Sequence, residues 1–229
     1  MWKRTLKGQT FHFYLAGINN QNFLMRDRET GSWWQQVSGR AISGALAGSV
    51  LEPVSSDEVT FGLWKADAPR GLVLAPVAGR EKDYDPDWEK EVAKDPVPLS
   101  FPGQGLADRE VILGVEMAGQ ARAFPFERVR TQSPLVDKVG GIPLVLVTGP
   151  DGKSVRVFRS LLHEKEIELY RDHGSSTWQL VDGTGNTWNF EGCATTGPAT
   201  GQCLERIGFL KDFWFDWRNY HPETTVYGR

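Results

Sequence analysis

The sequence predicts a β-rich α+β protein built as two tandem copies of one β-sheet unit with short helices, the first copy incomplete. Three observations carry this. Turn formers are abundant, with 25 Gly and 13 Pro in 229 residues, and the apolar residues fall in short alternating runs rather than helical stripes. One stretch is used twice: Asp27-Arg28-Glu29-Thr30-Gly31-Ser32-Trp33-Trp34 is echoed by Asp182-Gly183-Thr184-Gly185-Asn186-Thr187-Trp188. Each is followed by a glycine-punctuated run, and Gly39/Gly192, Gly44/Gly197, Gly48/Gly201, Leu51/Leu204, Glu52/Glu205 and Trp64/Trp217 all keep one separation of 153. Chance does not hold one offset across that span.

Taken in order, residues 9–14 alternate around Phe11 and Phe13 and read as a strand, and residues 22–26 read as a second. Asp27 to Gly31 supplies the turn, because Asp accepts from backbone amides two residues on and Gly tolerates positive φ. Residues 32–37 return as a strand with Trp33, Gln35 and Val37 on one face and Trp34 and Gln36 on the other. Residues 60–65 begin a short helix, and residues 70–74 close the unit as a strand. The second copy ends alike, with a helix over 211–219 and a strand over 224–227, so Trp64 and Trp217 are expected in equivalent buried places.

The units are read as 1–76, incomplete, and 110–229, complete. Between them, residues 77–109 carry Arg80 to Trp88, Asp95-Pro96-Val97-Pro98 and Phe101-Pro102-Gly103-Gln104-Gly105, a charge- and proline-dense crossing segment with no core of its own. Residues 111–115 and 120–125 read as a hairpin around Met117-Ala118-Gly119, and residues 143–148 and 155–159 as another pair. Nothing ahead of Gln9 matches this front section.

Composition excludes several function classes. A formal charge of −3 and the lack of a Lys/Arg run argue against nucleic acid as a partner. No stretch approaches the roughly 20 apolar residues of a membrane span, and residues 1–8 lack the apolar centre of a signal peptide. The expectation is a soluble chain without a signal peptide. Cys193 and Cys203 are too far apart for a CxxC motif; free buried thiols are the favoured reading, pairing in an oxidising compartment the other. No nucleophile elbow, phosphate loop or dinucleotide fingerprint is present.

Gly114-Val115, Gly119, Ala121-Arg122-Ala123-Phe124-Pro125, Asp137, Gly140-Gly141 and Pro143, then Asp27-Arg28-Glu29-Thr30-Gly31-Ser32 and His221-Pro222-Glu223-Thr224, follow the motif order of a known family. On these residues the chain resembles the DUF3179 family, whose members are two tandem copies of a β-rich unit. The resemblance covers nearly the whole chain. It also implies a Cys-Pro-Leu-Cys motif, which falls here on Gly149-Pro150-Asp151-Gly152, and a His-Glu pair, which falls on Gln132-Ser133. Two thiolates and an imidazole can share a metal ion or run thiol redox chemistry. The second copy lacks all three groups, so no metal and no cofactor is expected in it. The first copy's version would lie upstream of Met1, which makes the chain a fragment on this reading.

Candidate ligand-binding residues are few. In the first hairpin, Trp33 or Trp34 would stack on a ring while Asp27, Arg28 and Gln36 supply hydrogen bonds; the plainer reading makes the Asp a turn residue and the Trp residues core. Asp216 and His221 form the best acid–base pair by proximity, against His221 as a helix end ahead of Pro222. Two functional readings follow: a non-catalytic binding or scaffolding module for an unknown small molecule or protein, or a piece of a thiol- or metal-dependent oxidoreductase. The first unit, short of front strands, is further expected to self-associate through an open sheet edge.

Overall fold

The computed structural model describes residues 1–19, 22–101 and 105–229, so residues 102–104 of the proline-rich run lie outside the described residues. The fold is β-rich, with antiparallel sheets dominating and four short helices among the described residues: α1 (Phe61–Asp67), α2 (Trp88–Val92), α3 (Phe126–Gln132) and α4 (Trp214–Tyr220).

Its centre is the strand Ile142–Thr148, paired to Leu135–Val139 on one side and Val155–Arg159 on the other. Every second residue of a strand points to the same face. Leu144 and Leu146 therefore enter one core with Leu113, Val115, Phe124 and Val157, while Val145 and Val147 enter another with Phe158, Leu169, Leu180 and Trp188. A strand buried on both faces needs the unbroken apolar run seen here.

The first of these cores is closed by a second sheet in the order Leu210–Phe213, Val111–Met117, Gln120–Pro125, Thr225–Val226. Its hairpin turns through Ala118 and Gly119, both with positive φ. Ile112 and Ala123 leave by the far face and meet Trp214 and Trp217 of α4. Trp217 lies so close to Gly114 that a Cβ there would sit 2.3 Å from its ring. The second core is closed by the sheet Leu169–Arg171, Leu180–Asp182, Thr187–Trp188, Ala194–Thr196. A sheet in the same antiparallel order, Phe13–Asn19, Asn22–Asp27, Trp33–Gln35, Ala41–Ser43, forms the N-terminal part around Trp34, Ala41 and Leu51.

Several expectations change. The strand expected over 9–14 is split: Gln9–Thr10 pairs with Thr5–Leu6, and the long strand begins at Phe13, because Phe11 turns inward to a buried place against Trp34. The return strand over 32–37 is only Trp33–Gln35 before the chain turns to Gly39. The first residues of the helix expected over 211–219 are instead the strand Leu210–Phe213, drawn into register with residues 111–114. Tertiary pairing overrides local preference there.

The strand over 70–74 is absent, and Leu72 and Leu74 are 95% and 94% exposed. Its counterpart Thr225–Val226 is a strand because Gln120–Pro125 lies beside it. For the same reason Trp217 is 3% exposed while Trp64 is only half-buried. The crossing segment is mostly exposed, with a short 3-10 turn, Glu81–Asp83, and α2. None of the helices among the described residues is long and apolar enough to cross a membrane.

The free-thiol reading is corrected as well: Cys193 and Cys203 form a disulfide. They face each other in an isolated antiparallel bridge at the neck of a glycine-punctuated loop, where Ala194 N–H donates to the Gln202 carbonyl. Facing residues in such a bridge bring their Cβ atoms close enough to join.

Trp217→Ala should cost roughly 3–5 kcal/mol by opening a large cavity, and Trp64→Ala only about 1–2 kcal/mol because less surface is buried. Urea unfolding of both variants decides this, and equal losses would contradict the different burial. Reducing the disulfide should cost roughly 3 kcal/mol on the loop-entropy argument for so short a loop, read as a lowered midpoint in thermal unfolding with and without reductant.

Candidate functional site

The two hairpins are closed by the same device. Asp27 is fully buried; one carboxylate oxygen accepts from Thr30 N–H at 2.5 Å and the other from Trp34 Nε1–H at 2.7 Å. In the second hairpin, Asp182 accepts from Thr184 N–H at 2.8 Å and from Trp188 Nε1–H at 2.9 Å. Burial raises both carboxyls, but the donors outweigh it. Trp34 and Thr30 hold Asp27 below the ordinary value, and Asn186, Thr184 and Trp188 hold Asp182 at about 2.

The loops that follow also match. Ser32 Oγ accepts from Leu46 N–H at 3.1 Å, and Asn186 Oδ1 accepts from Ala199 N–H at 2.7 Å. Gly44 (φ +95°) and Gly197 (φ +90°) pass so close to these two residues that a Cβ would sit 2.7 Å from Ser32 and 2.6 Å from Asn186. The bridge Arg40 with Val50 repeats that of Cys193 with Cys203 without a disulfide.

Asp27 and Trp34 are thus spent on the hairpin itself. Trp33 is half-buried with the Arg26 guanidinium 5.6 Å from its ring centroid, and Arg28 and Gln36 are exposed.

The loop 149–152, where the resemblance implies Cys-Pro-Leu-Cys, holds the start of α1. Asp151 accepts from its own loop at Lys153 N–H and Ser154 N–H, and from Thr60 Oγ1–H at 2.6 Å, while Thr60 N–H donates to Ser154 Oγ at 2.9 Å. Burial opposes ionisation of Asp151, but Ser154 and Thr60 together hold it at about 2. Beside it Arg156, 4% exposed, donates to Asp57 at 2.9 Å, Asp67 at 3.0 Å and Glu191.

A third cluster gathers on and around α4, and it separates Asp216 from His221. Asp216 receives Asn22 Nδ2–H from the N-terminal sheet, and its other oxygen is buried without a hydrogen-bond partner among the described residues. Burial lifts its carboxyl to about 6 against the pull of Asn22 and Arg109. Asp212, half-buried on the preceding strand, is lifted to about 8 by burial and then by the Asp216 charge. Two carboxyls lifted by burial, one of them also by the charge of the other, titrate as a coupled pair.

His221 ends α4, its N–H donating to the Trp217 carbonyl and its ring stacked 3.8 Å from the Trp217 ring. Its Nδ1 lies 3.9 Å from Glu116 rather than beside Asp216. Burial lowers its pKa more than Glu116 raises it, so the imidazole is neutral at pH 7. Here a groove of about 470 Å³ opens between Glu116, Gln120 and the 220–225 segment. Among the described residues no group of three or more His, Cys, Asp and Glu is arranged to hold a metal.

Sequence reasoning missed Glu116, Asn22, Asp151 and Asp212. Only Asp212 left a signal: at the common offset of 153, Asp212 and Asp216 correspond to Val59 and Leu63, so the acid pair belongs to one segment alone.

A family model described as a protein of unknown function, DUF3179, matches residues 1–224. No curated protein and no solved structure matches the chain.

A carboxyl raised in the folded chain binds its proton more tightly there than when unfolded. The acid pair's contribution to stability is therefore complete below about pH 4 and is lost as pH rises through about 6 and about 8. The unfolding free energy read from urea denaturation should fall between about pH 5 and pH 8.5 by at least about 1 kcal/mol, the worth of one pKa unit. Asp212→Asn should fall less over the same range, and parallel profiles would remove the acid pair from the account.

Proposed function

The chain belongs to the DUF3179 family, and we propose that within it this protein is a non-catalytic binding module whose ligand site is the groove beside His221. The observation that carries the reading is the groove's charge. Its walls hold Glu116 and Glu223 together with an imidazole whose charged form burial disfavours, and among the described residues that line it none is Lys or Arg. Such a place favours a cationic hydrogen-bonding group, the guanidinium or ammonium of a small molecule or of a protein side chain.

The family resemblance puts thiols at Gly149 and Gly152, and here that loop grips Thr60, which supports a structural use of the same position. We infer further that residues 22–75 and 178–228 are two versions of one unit, with boundaries 1–76, 77–109 and 110–229. The support is the matched Asp–Trp bonds, the matched glycine loops and the shared offset of 153. On this reading Asp27, Trp34 and Asp216 are supports, and His221 is the one candidate that reaches a ligand; Arg28, Trp33 and Gln36 stand away from it.

Agmatine, which carries both a guanidinium and an ammonium, is the probe. Its titration should shift the His221 imidazole signals in NMR to saturation, and Glu116→Gln should weaken binding about tenfold, the loss of one charge-assisted hydrogen bond. Signals that stay fixed, or a variant that binds as well as the parent, would refute the groove.

A further inference from the structure

The segments after α1 and α4 begin alike and end differently. Ala68 N–H donates to the Trp64 carbonyl and Gly71 N–H to Ala68, as His221 N–H does to Trp217 and Thr224 N–H to His221. Beyond Thr224 the chain becomes the strand Thr225–Val226, parallel to Gln120–Pro125. Beyond Gly71, Leu72, Val73 and Leu74 have no strand beside them among the described residues and are 95%, 63% and 94% exposed.

Trp217 lies under the hairpin 111–125, its indole N–H donating to Thr224 Oγ1 at 2.8 Å. Trp64 has Gly71 in that place, with no hydroxyl to take its N–H, and its outer neighbour Phe61 is 62% exposed and stacked on it. Leu63 faces the other way and packs on the core around Trp188, and Thr60 and Asp67 are tied to Asp151 and Arg156. The helix is held firmly from beneath while an aromatic face and an extended apolar segment stay uncovered. Isolated surface hydrophobics are ordinary, but a contiguous set next to an unpaired backbone is a docking surface.

We propose that Phe61, Trp64 and Leu72 to Leu74 form a docking surface for a two-stranded β-hairpin of a separate polypeptide. The second half of the chain supplies the template. The partner places a glycine opposite Trp64, as Gly114 lies opposite Trp217, because any Cβ there meets the ring. Its second strand takes residues 72–74 in parallel, as Gln120–Pro125 takes Thr225–Val226. The hairpin of this chain cannot serve, in cis or from a second copy, because both of its edges are already paired, to Leu210–Phe213 and to Thr225–Val226. A lipid surface does not fit either, since it offers no partner to the unpaired backbone groups.

The test adds a cyclised hairpin peptide with the sequence of residues 111–125 to the intact chain; cyclisation is needed because isolated hairpins are marginal. The Trp64 indole N–H resonance should move and exchange of the Val73 amide should slow about tenfold or more at saturation. The same peptide with Gly114→Val should do neither. The inference is overturned if the folded peptide leaves Trp64 unmoved, or if the valine peptide binds equally. It is also overturned if Val73 becomes protected by raising the concentration of the chain alone, which would make a second copy the occupant.

Discussion

The buried guanidinium of Arg156 ties residues 57–67 to the strand Val155–Arg159. Arg156 rises from the strand Val155–Arg159, lies 4.5 Å over the Phe190 ring, and is shared among Asp57, Asp67 and Glu191, with Arg206 bridging Asp57 and Glu191 from the side. A charge removed from water must be compensated by well-placed partners or the site will not form. Two of those partners lie almost a hundred positions earlier in the chain, so compensating Arg156 fixes the course of residues 57–67. That course delivers Thr60 to the Asp151 loop and Leu63 to the core around Trp188. Removing one partner would leave charge buried without compensation, which explains why the cluster is complete.

Much of the fold could be read from the residues because local chemistry and tertiary role agree there. The run from Pro143 to Thr148 is a strand by composition and is buried on both faces, and Asp27 and Asp182 close turns as short acceptors do. The errors lie where a neighbour decides. Residues 211–213 have helical company in sequence, yet the edge of Val111–Met117 recruits them; residues 72–74 have strand composition, yet no edge receives them. The disulfide was obscured because ten residues of separation says nothing about a loop that returns on itself. Asp216 and His221 are neighbours in sequence, but a helix of 3.6 residues per turn sends them to opposite partners, Asn22 and Glu116.

The acid pair has no acidic counterpart at the offset of 153. Val59 and Leu63 stand at the positions of Asp212 and Asp216, and Leu63 is free to pack on apolar neighbours. At the other end the equivalent place meets the N-terminal sheet, where Asn22 donates to Asp216 and Tyr220 donates to the Asn19 carbonyl at 3.3 Å. Burying two carboxylates is unfavourable in isolation, and the one hydrogen bond that the Asp216 carboxyl receives among the described residues comes from Asn22.

The capping of α1 has a consequence in time. Thr60 accepts from Leu63 N–H as the helix N-cap, but its own hydroxyl proton goes to Asp151, 91 residues further on. A seven-residue helix has little stability by itself, because nucleation is costly and short helices rely on packing. During synthesis α1 gains these partners only once the strands around Asp151 and Arg156 have been made.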